Sequence, residues 1–233
     1  MVEDWRSFYF YRGPLFIGSE KSFEEAAYVA FGAPFDGTAS YRPGSRFAPL
    51  QLRLMSMYLE LPREHLINLC DLGDLAPTNS VEVMLRRVGE AVERICEAGK
   101  VPVILGGEHT ITLASASSIE NVDSLIIFDA HLDLRSEFMD TRINHTTWLR
   151  RLLEKRSFRE VVVIGARAYA DEEEEFAEER GVSVISSREV IFNFSQSVRK
   201  VESLIRDAER TYLSIDVDVL DPGYAPGVSN PEP

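Results

Sequence analysis

The chain has 233 residues and carries 38 acidic against 25 basic side chains, a formal net charge of −13. Hydrophobic residues make up 45%, which is typical of a packed globular protein and excludes a disordered one. The acidic balance argues against nucleic acid and against an anionic membrane as partners. We predict one domain over residues 1–233, and a cytoplasmic location, because the first residues lack the pattern of a signal peptide.

Seven short apolar runs are predicted to be β-strands. Most of them are apolar on consecutive residues and do not alternate, as expected for strands that are covered on both faces. That pattern favours a parallel sheet between helices. In chain order the predicted strands are 26–32, 66–69, 101–105, 124–128, 161–165, 182–185 and 212–215.

Amphipathic segments separate these runs and are predicted to be helices. The clearest begins after Ser80, a residue suited to an N-cap, and ends at Gly99. Similar patterns cover 147–155, 171–180 and 195–210, and the acids at 172–175 are expected to be a solvated first helical turn. The alternation predicts a three-layer α/β/α sandwich with a mainly parallel sheet. Because the sequence stops soon after Asp221, we expect the C-terminal strands of such a fold to be missing.

Imidazole and carboxylate groups follow three of the predicted strands. Parallel sheets bind ligands beyond the carboxyl ends of their strands. In an extended segment, residues two apart point to the same side, so donors spaced in this way can converge on one point. The three segments are Gly106-Gly107-Glu108-His109, Asp129-Ala130-His131-Leu132-Asp133 and Asp216-Val217-Asp218.

Six residues of these segments are potential metal ligands, four carboxylates and two imidazoles: His109, Asp129, His131, Asp133, Asp216 and Asp218. One divalent ion would leave several buried anions uncompensated, so we predict two ions, about 3.5–4 Å apart. Oxygen-rich ligands with some imidazole favour manganese, and other divalent ions remain possible. A lone histidine after two glycines, or a lone Asp-x-Asp, is more often structural, and it is the coincidence of three segments that favours a metal site. A single-zinc deacetylase is an alternative that leaves Asp133 and Asp218 unexplained.

These segments resemble the signature segments of the ureohydrolase family, which includes agmatinase, arginase, guanidinobutyrase and formimidoylglutamase. The last of the three continues to Asp221-Pro222, followed by Ala225-Pro226-Gly227. The segments 32–36, 42–49 and 71–74 also resemble the family, and the similarity extends from about residue 29 to the last residue. The resemblance implies a hydrolase that cleaves a guanidino compound to urea and an amine. It also implies a homo-oligomer, a trimer or a hexamer.

The resemblance also implies roles for individual residues. Two Mn²⁺ ions per chain would be bound by His109, Asp129, His131, Asp133, Asp216 and Asp218. Asp133 would take a proton from the attacking water and pass it to the leaving amine, and His145 would relay protons to solvent. Agmatinases usually have a glycine where this chain has Thr146. The arginines of matched motifs are expected to brace loops or a subunit contact; they are Arg42, Arg46 and Arg167.

The substrate is predicted from one loop. Arginases place acids that hold the α-amino group of arginine where this chain has Ala168 and Ala170, which favours agmatine, cleaved to putrescine and urea. Arginase activity remains an alternative, because Asp171 could compensate for these acids, and guanidinobutyrase activity is a second alternative. The family's downstream glutamate, which pairs with the guanidinium, is absent from this sequence, and Glu232 is not assigned that role. The substrate-binding residue is therefore unknown, and a catalytically silent homologue remains a further alternative.

Overall fold

A computed structural model describes residues 5–11, 13–60 and 68–233. The chain forms two compact units, Met1–Thr38 with Pro43–Ser118, and Ala39–Arg42 with Ile119–Pro233. We call them the first and the second unit. The single domain over residues 1–233 stays a prediction.

The first unit contains a four-stranded sheet in the order β1-β3-β2-β4. Strand β2 pairs in parallel with β3 and with β4, while the short β1 pairs antiparallel with β3. A 3₁₀ helix at Ser45–Phe47 precedes α2. The elements are α1 (Arg6–Tyr9), β1 (Phe10–Tyr11), β2 (Tyr28–Ala33), α2 (Ala48–Ser56), β3 (Leu69–Leu75), α3 (Val81–Glu97), β4 (Val101–Gly106) and α4 (Ile111–Ser117).

The second unit contains a four-stranded, all-parallel sheet in the order β7-β6-β5-β8. Strand β5 lies between β6 and β8, so the residues that follow it lie at the centre of the carboxyl edge of this sheet. The elements are β5 (Ser124–Phe128), α5 (Trp148–Lys155), β6 (Glu160–Ala166), α6 (Asp171–Arg180), β7 (Ser183–Ser186), α7 (Ser187–Phe192), α8 (Phe194–Ile205) and β8 (Thr211–Ile215), with a 3₁₀ helix at Val217–Val219.

Every predicted strand has a counterpart, and β5 has the predicted bounds. The prediction at 66–69 falls partly on residues 66 and 67, which lie outside the described residues, and β3 runs from Leu69 to Leu75. Within the described residues, four helices were not predicted: α1, α2, α4 and α7. The helix predicted at 195–210 was too long, because α8 ends at Ile205. These errors concern short or irregular segments, where a helical period has too few residues to show.

Local sequence explains where the predicted helices begin and end. The Ser80 hydroxyl accepts a hydrogen bond from the Val83 N–H at 3.3 Å and caps α3. Gly181, with a φ of 68°, ends α6 in the left-handed conformation that glycine adopts without a steric penalty.

In the second unit, buried Val162, Ile164 and Ile185 of β6 and β7 form part of the core.

A buried ion network fixes α2 to β3 in the first unit. Arg53, only 2% exposed, donates from Nε to Asp71 Oδ2 at 2.7 Å and from Nη2 to Asp71 Oδ1 at 2.9 Å. It also donates to the Gly73 carbonyl at 3.0 Å and contacts Asp74. Both residues of the pair are buried, so removal of the arginine would leave the Asp71 charge without its partner.

We therefore expect Arg53→Ala to lower the free energy of unfolding by about 3–5 kcal/mol, the usual cost of breaking a buried ion pair. Urea unfolding followed by circular dichroism measures this change. Arg86→Ala is the matched control, because Arg86 is exposed on α3. Equal unfolding curves for the two variants would show that the network does not stabilise the first unit.

Candidate metal centre

The residues after β5 form a turn that brings two donors together. Asp129 is 1% exposed, and its Oδ1 accepts a hydrogen bond from the His131 N–H at 2.7 Å. The Asp129 N–H in turn donates to the Ile164 carbonyl of β6 at 3.0 Å. The carboxylate is thus fixed at the end of the central strand, with the imidazole beside it.

The residues after β8 supply a further carboxylate. Asp216 is the N-cap of the 3₁₀ helix, and its Oδ1 accepts from the Asp218 N–H at 2.9 Å. Asp218 is buried, and its Oδ1 accepts from the Ala130 N–H at 3.1 Å. This bond ties the loop after β8 to the loop after β5, and it directs Asp218 towards the Asp129 turn.

Asp129, His131 and Asp218 form a cluster that could hold a metal ion. His131 Nδ1 lies 3.0 Å from Asp218 Oδ2 and 3.4 Å from Asp129 Oδ1. One ligand atom from each residue lies within 4.8 Å of the others. The donors are the oxygen and nitrogen types that divalent ions such as manganese accept.

The electrostatics of this cluster show an excess of negative charge. Burial by itself lowers the pKa of His131, but hydrogen bonds to Asp129 and Asp218 and the charge of Asp133 outweigh it and raise the pKa to about 11. Burial also raises the pKa of Asp218 above its usual range. A proton on the imidazole balances part of the negative charge of the carboxylates. A divalent cation bound here would balance the same charge.

Asp133 lies beyond this turn in a constrained conformation. Its φ is 54°, in the left-handed region that few non-glycine residues adopt. The side chain is buried, and the Trp148 Nε1–H donates to its Oδ2 at 2.6 Å. The prediction that extended, alternating segments align these donors is wrong, because Asp133 is left-handed and Asp218 lies in a 3₁₀ helix. Turns, and not strand periodicity, orient them.

His109 belongs to the first unit, where it follows the end of β4. The adjacent Glu108 is buried, and its carboxylate accepts from the Thr38 N–H at 2.9 Å and from the Thr110 hydroxyl at 2.6 Å, with a further contact to the Thr38 hydroxyl. Gly107 is required here, since a Cβ at this position would lie 1.9 Å from the Phe35 carbonyl oxygen. Burial raises the pKa of Glu108. These contacts fix the backbone that carries the His109 imidazole.

His145 lies in the turn before α5. Its Nε2 is 2.9 Å from the Ser40 hydroxyl, which also accepts from Asn230 Nδ2 at 3.2 Å. Thr146, found where agmatinases usually have glycine, donates from its N–H and hydroxyl to Asn144 Oδ1 at 2.9 and 2.8 Å. Its φ is not positive, so the turn does not require glycine at this position. No sequence pattern could have predicted Ser40 as a partner, since it is 105 residues away.

The arginines of the matched motifs contact the protein itself, as predicted for loop braces. Arg167 donates to main-chain carbonyls of Gly165, Asp218, Val219, Leu220 and Glu232 at 2.8–3.2 Å. Arg46 pairs with Asp36, and Arg42 donates to the Pro226 carbonyl at 3.4 Å.

The Arg167 clamp also sets the position of Glu232. It holds this residue by its carbonyl, and the Glu232 carboxylate lies 3.6 Å from His131 Nε2. This contact was not predicted from the sequence.

One acid in the 172–175 run departs from the prediction of a solvated helical turn. Glu173 is 3% exposed, and its carboxylate accepts from the Leu134 N–H at 3.0 Å and from the Ala170 N–H at 2.9 Å. The prediction is correct for its neighbours Glu172, Glu174 and Glu175, which are exposed. The sequence of four consecutive glutamates does not indicate which of their side chains is buried.

Comparison with known proteins identifies relatives over most of the chain. The model of the arginase family matches residues 26–233. Agmatinase from Bacillus subtilis is 37% identical, over 93% of this chain and 76% of its own. The N(1)-aminopropylagmatine ureohydrolase of Thermococcus kodakarensis is 34% identical, over 90% and 73%.

Among solved structures, the agmatine ureohydrolase of Thermoplasma volcanium superposes with a TM-score of 0.86 and 37% identity, over 96% of this chain and 78% of its own. The predicted α/β fold class with mainly parallel strands is thereby confirmed. In residues 5–11, 13–60 and 68–233, no helix has the length and apolar character that crossing a membrane requires.

We expect asparagine at Asp129, Asp216 or Asp218 to abolish metal retention, because each change removes the charge of a predicted ligand carboxylate. Metal content after gel filtration in Mn²⁺-free buffer, measured by mass spectrometry, tests this. Asp221→Asn is the control, since Asp221 is exposed and its carboxylate accepts from the Gly223 N–H. Retention of manganese by all three variants at the parental level would contradict a metal site in this cluster.

Proposed function

The chain belongs to the arginase family and is a ureohydrolase, and we propose that it cleaves agmatine to putrescine and urea with two manganese ions. The observation that supports the metal most directly is the convergence of Asp129, His131 and Asp218. The relatives support hydrolysis of a guanidino compound to urea and an amine. Agmatine itself is proposed from the loop that follows β6.

We propose that the ligands are the six residues of the three strand-end segments: His109, Asp129, His131, Asp133, Asp216 and Asp218. Four carboxylates match the charge of two divalent ions, which supports a pair over a single ion. When bound, such a pair lowers the pKa of a shared water and supplies a nucleophile near neutral pH. Metal analysis that finds one ion per chain in active protein would favour the single-metal alternative.

The reaction forms a C–O bond to the guanidinium carbon and breaks its bond to the leaving nitrogen. Asp133 is proposed to accept the proton of the attacking water and to hand it to that nitrogen, so that the amine leaves neutral. The Trp148 indole holds the Asp133 carboxylate in one orientation through its 2.6 Å hydrogen bond. His145, bonded to Ser40, is proposed to exchange protons with solvent.

The choice of agmatine follows from what the loop after β6 lacks. Ala168 and Ala170 offer no carboxylate to a substrate α-amino group. Asp171, which could have compensated, is exposed in the first turn of α6. Glu173 is close in sequence, but both of its oxygens accept main-chain N–H groups. A substrate without an amino-acid head therefore fits this loop better.

We expect kcat/KM for agmatine to exceed that for arginine by roughly 10- to 100-fold, the value of one charged hydrogen bond to the α-amino group. A urea assay with agmatine, arginine, 4-guanidinobutyrate and N(1)-aminopropylagmatine side by side measures this. Ala168→Asp is the matched variant and should raise relative turnover of arginine. Faster cleavage of arginine by the parent chain would refute the assignment, and no urea from any substrate would indicate a silent homologue.

His145→Asn should lower kcat by roughly 10²-fold or more, the usual contribution of a proton-transfer residue, with metal content unchanged. Added imidazole should restore part of the rate, because it can carry the proton in place of the side chain. Ser40→Ala is the control, and we expect only a small decrease. A His145→Asn enzyme with full kcat, or one that loses its metal, would exclude the proton-relay role.

We further propose a homo-oligomer, a trimer or hexamer, in the cytoplasm, with no nucleic acid or membrane as a partner. Family resemblance supports the assembly, and the net charge of −13 supports the absence of anionic partners. Light scattering of the purified protein measures the assembly.

A further inference from the structure

Helix α6 begins with five consecutive acids, at 171–175, all in the described part of the chain. Among them Glu173 alone is buried. Burial raises the pKa of this carboxyl, and the charge of Arg135, whose Nε lies 3.6 Å from Oε2, opposes that rise. Burial of a carboxylate away from water costs free energy, and hydrogen bonds must compensate for that cost.

Those bonds come from the backbones of two loops of the second unit. Glu173 Oε1 accepts from the Leu134 N–H, in the loop after β5, and Oε2 accepts from the Ala170 N–H, in the loop after β6. The Ala170 bond caps α6, and any acid at this helix position could supply it. The Leu134 bond has no role in the helix, and it reaches the segment that carries Asp133.

The Leu134 N–H belongs to the peptide plane that also contains the Asp133 carbonyl, because a peptide unit is planar. That carbonyl accepts from the Arg150 N–H at 3.4 Å, so the plane is held from both sides. Asp133 itself has a φ of 54°, which costs conformational energy and persists only where its surroundings enforce it. With φ held in this region, fixing the plane restricts the directions in which the Asp133 side chain can leave the backbone.

We propose that Glu173 is a positioning residue for Asp133: its carboxylate holds the 133–134 peptide plane so that the Asp133 side chain faces the metal cluster. The inference rests on the proposed function, in which Asp133 is a metal ligand and carries the proton. It gives a role in the site to an acid whose side chain need not touch metal or substrate.

The test is Glu173→Gln, compared with the parent chain in Mn²⁺ titration calorimetry and in steady-state kinetics with agmatine. A glutamine amide accepts one of the two N–H groups but presents its own NH₂ to the other, so the plane is released or the cap is lost. We expect the Mn²⁺ dissociation constant to rise roughly 10- to 100-fold, the usual effect of losing such a support, and kcat to fall more than KM changes.

Two controls separate positioning from general effects. Glu174→Gln makes the same charge change at an exposed position of the same helical turn. Ser186→Ala removes the N-cap of α7, whose hydroxyl accepts from the Glu189 N–H, and so models the loss of a helix cap elsewhere in the second unit. Both should keep parental Mn²⁺ affinity, although Ser186→Ala should melt at a lower temperature.

If Glu173→Gln folds, as judged by circular dichroism, and binds Mn²⁺ within twofold of the parent, the positioning role is refuted. A loss of affinity in Ser186→Ala as large as in Glu173→Gln would also refute it, because reduced stability alone would then explain the effect. If Glu173→Gln does not fold, Glu173→Asp replaces it, since a shorter carboxylate cannot reach both N–H groups, and parental affinity there overturns the proposal. A parent chain that binds no Mn²⁺ would instead refute the proposed function.

Discussion

Buried negative charge at the carboxyl edge of the second unit's sheet is the constraint on which the candidate site depends. Asp129, Asp133 and Asp218 are each less than 7% exposed. Buried carboxylates cost free energy unless a cation balances their charge. The same negative charge raises the pKa of His131 strongly. Strand β5, which precedes Asp129 and Asp133, is apolar and mostly buried, so the acid that directly follows it is buried as well. The fold thus creates a position that a cation stabilises.

Buried carboxylates also hold the loops themselves, through bonds to main-chain N–H groups. Glu108 does this beside His109 in the first unit. In the second unit, Glu173 and Asp218 hold the loop after β5 at Leu134 and at Ala130. A carboxylate accepts but never donates, so each of these bonds has one possible direction. Loops held in this way leave the candidate metal ligands little freedom, which is what a preorganised site requires.

The same bonds bear on which guanidino compound the site accepts. Glu173 lies in the first turn of α6, next to the loop where an arginase would recognise an α-amino group, and both of its oxygens accept main-chain N–H groups. Ala168 and Ala170 leave that part of the loop without charge. In both proposals Glu173 is the buried acid beside this loop, and its bonds to the backbone leave its carboxylate unavailable to an amino-acid head. The proposed positioning of Asp133 and the proposed choice of agmatine are thus consistent with each other.

Much of this protein followed from the sequence alone. Consecutive apolar residues predicted the parallel strands, and β5 was predicted to the residue. The expected cover on both faces is wrong for β4 and β8, where Val101, Leu213 and Ile215 are exposed. The chemistry of the strand ends also followed, since Asp-x-His-x-Asp after an apolar strand is poorly explained by packing. Only the tertiary structure determines how the side chains of the candidate metal ligands are oriented. Asp133 is left-handed, and Asp218 lies in a 3₁₀ helix. The inward turn of Glu173 and the Ser40 contact of His145 depend on partners far apart in sequence, and local periodicity carries no information about such contacts.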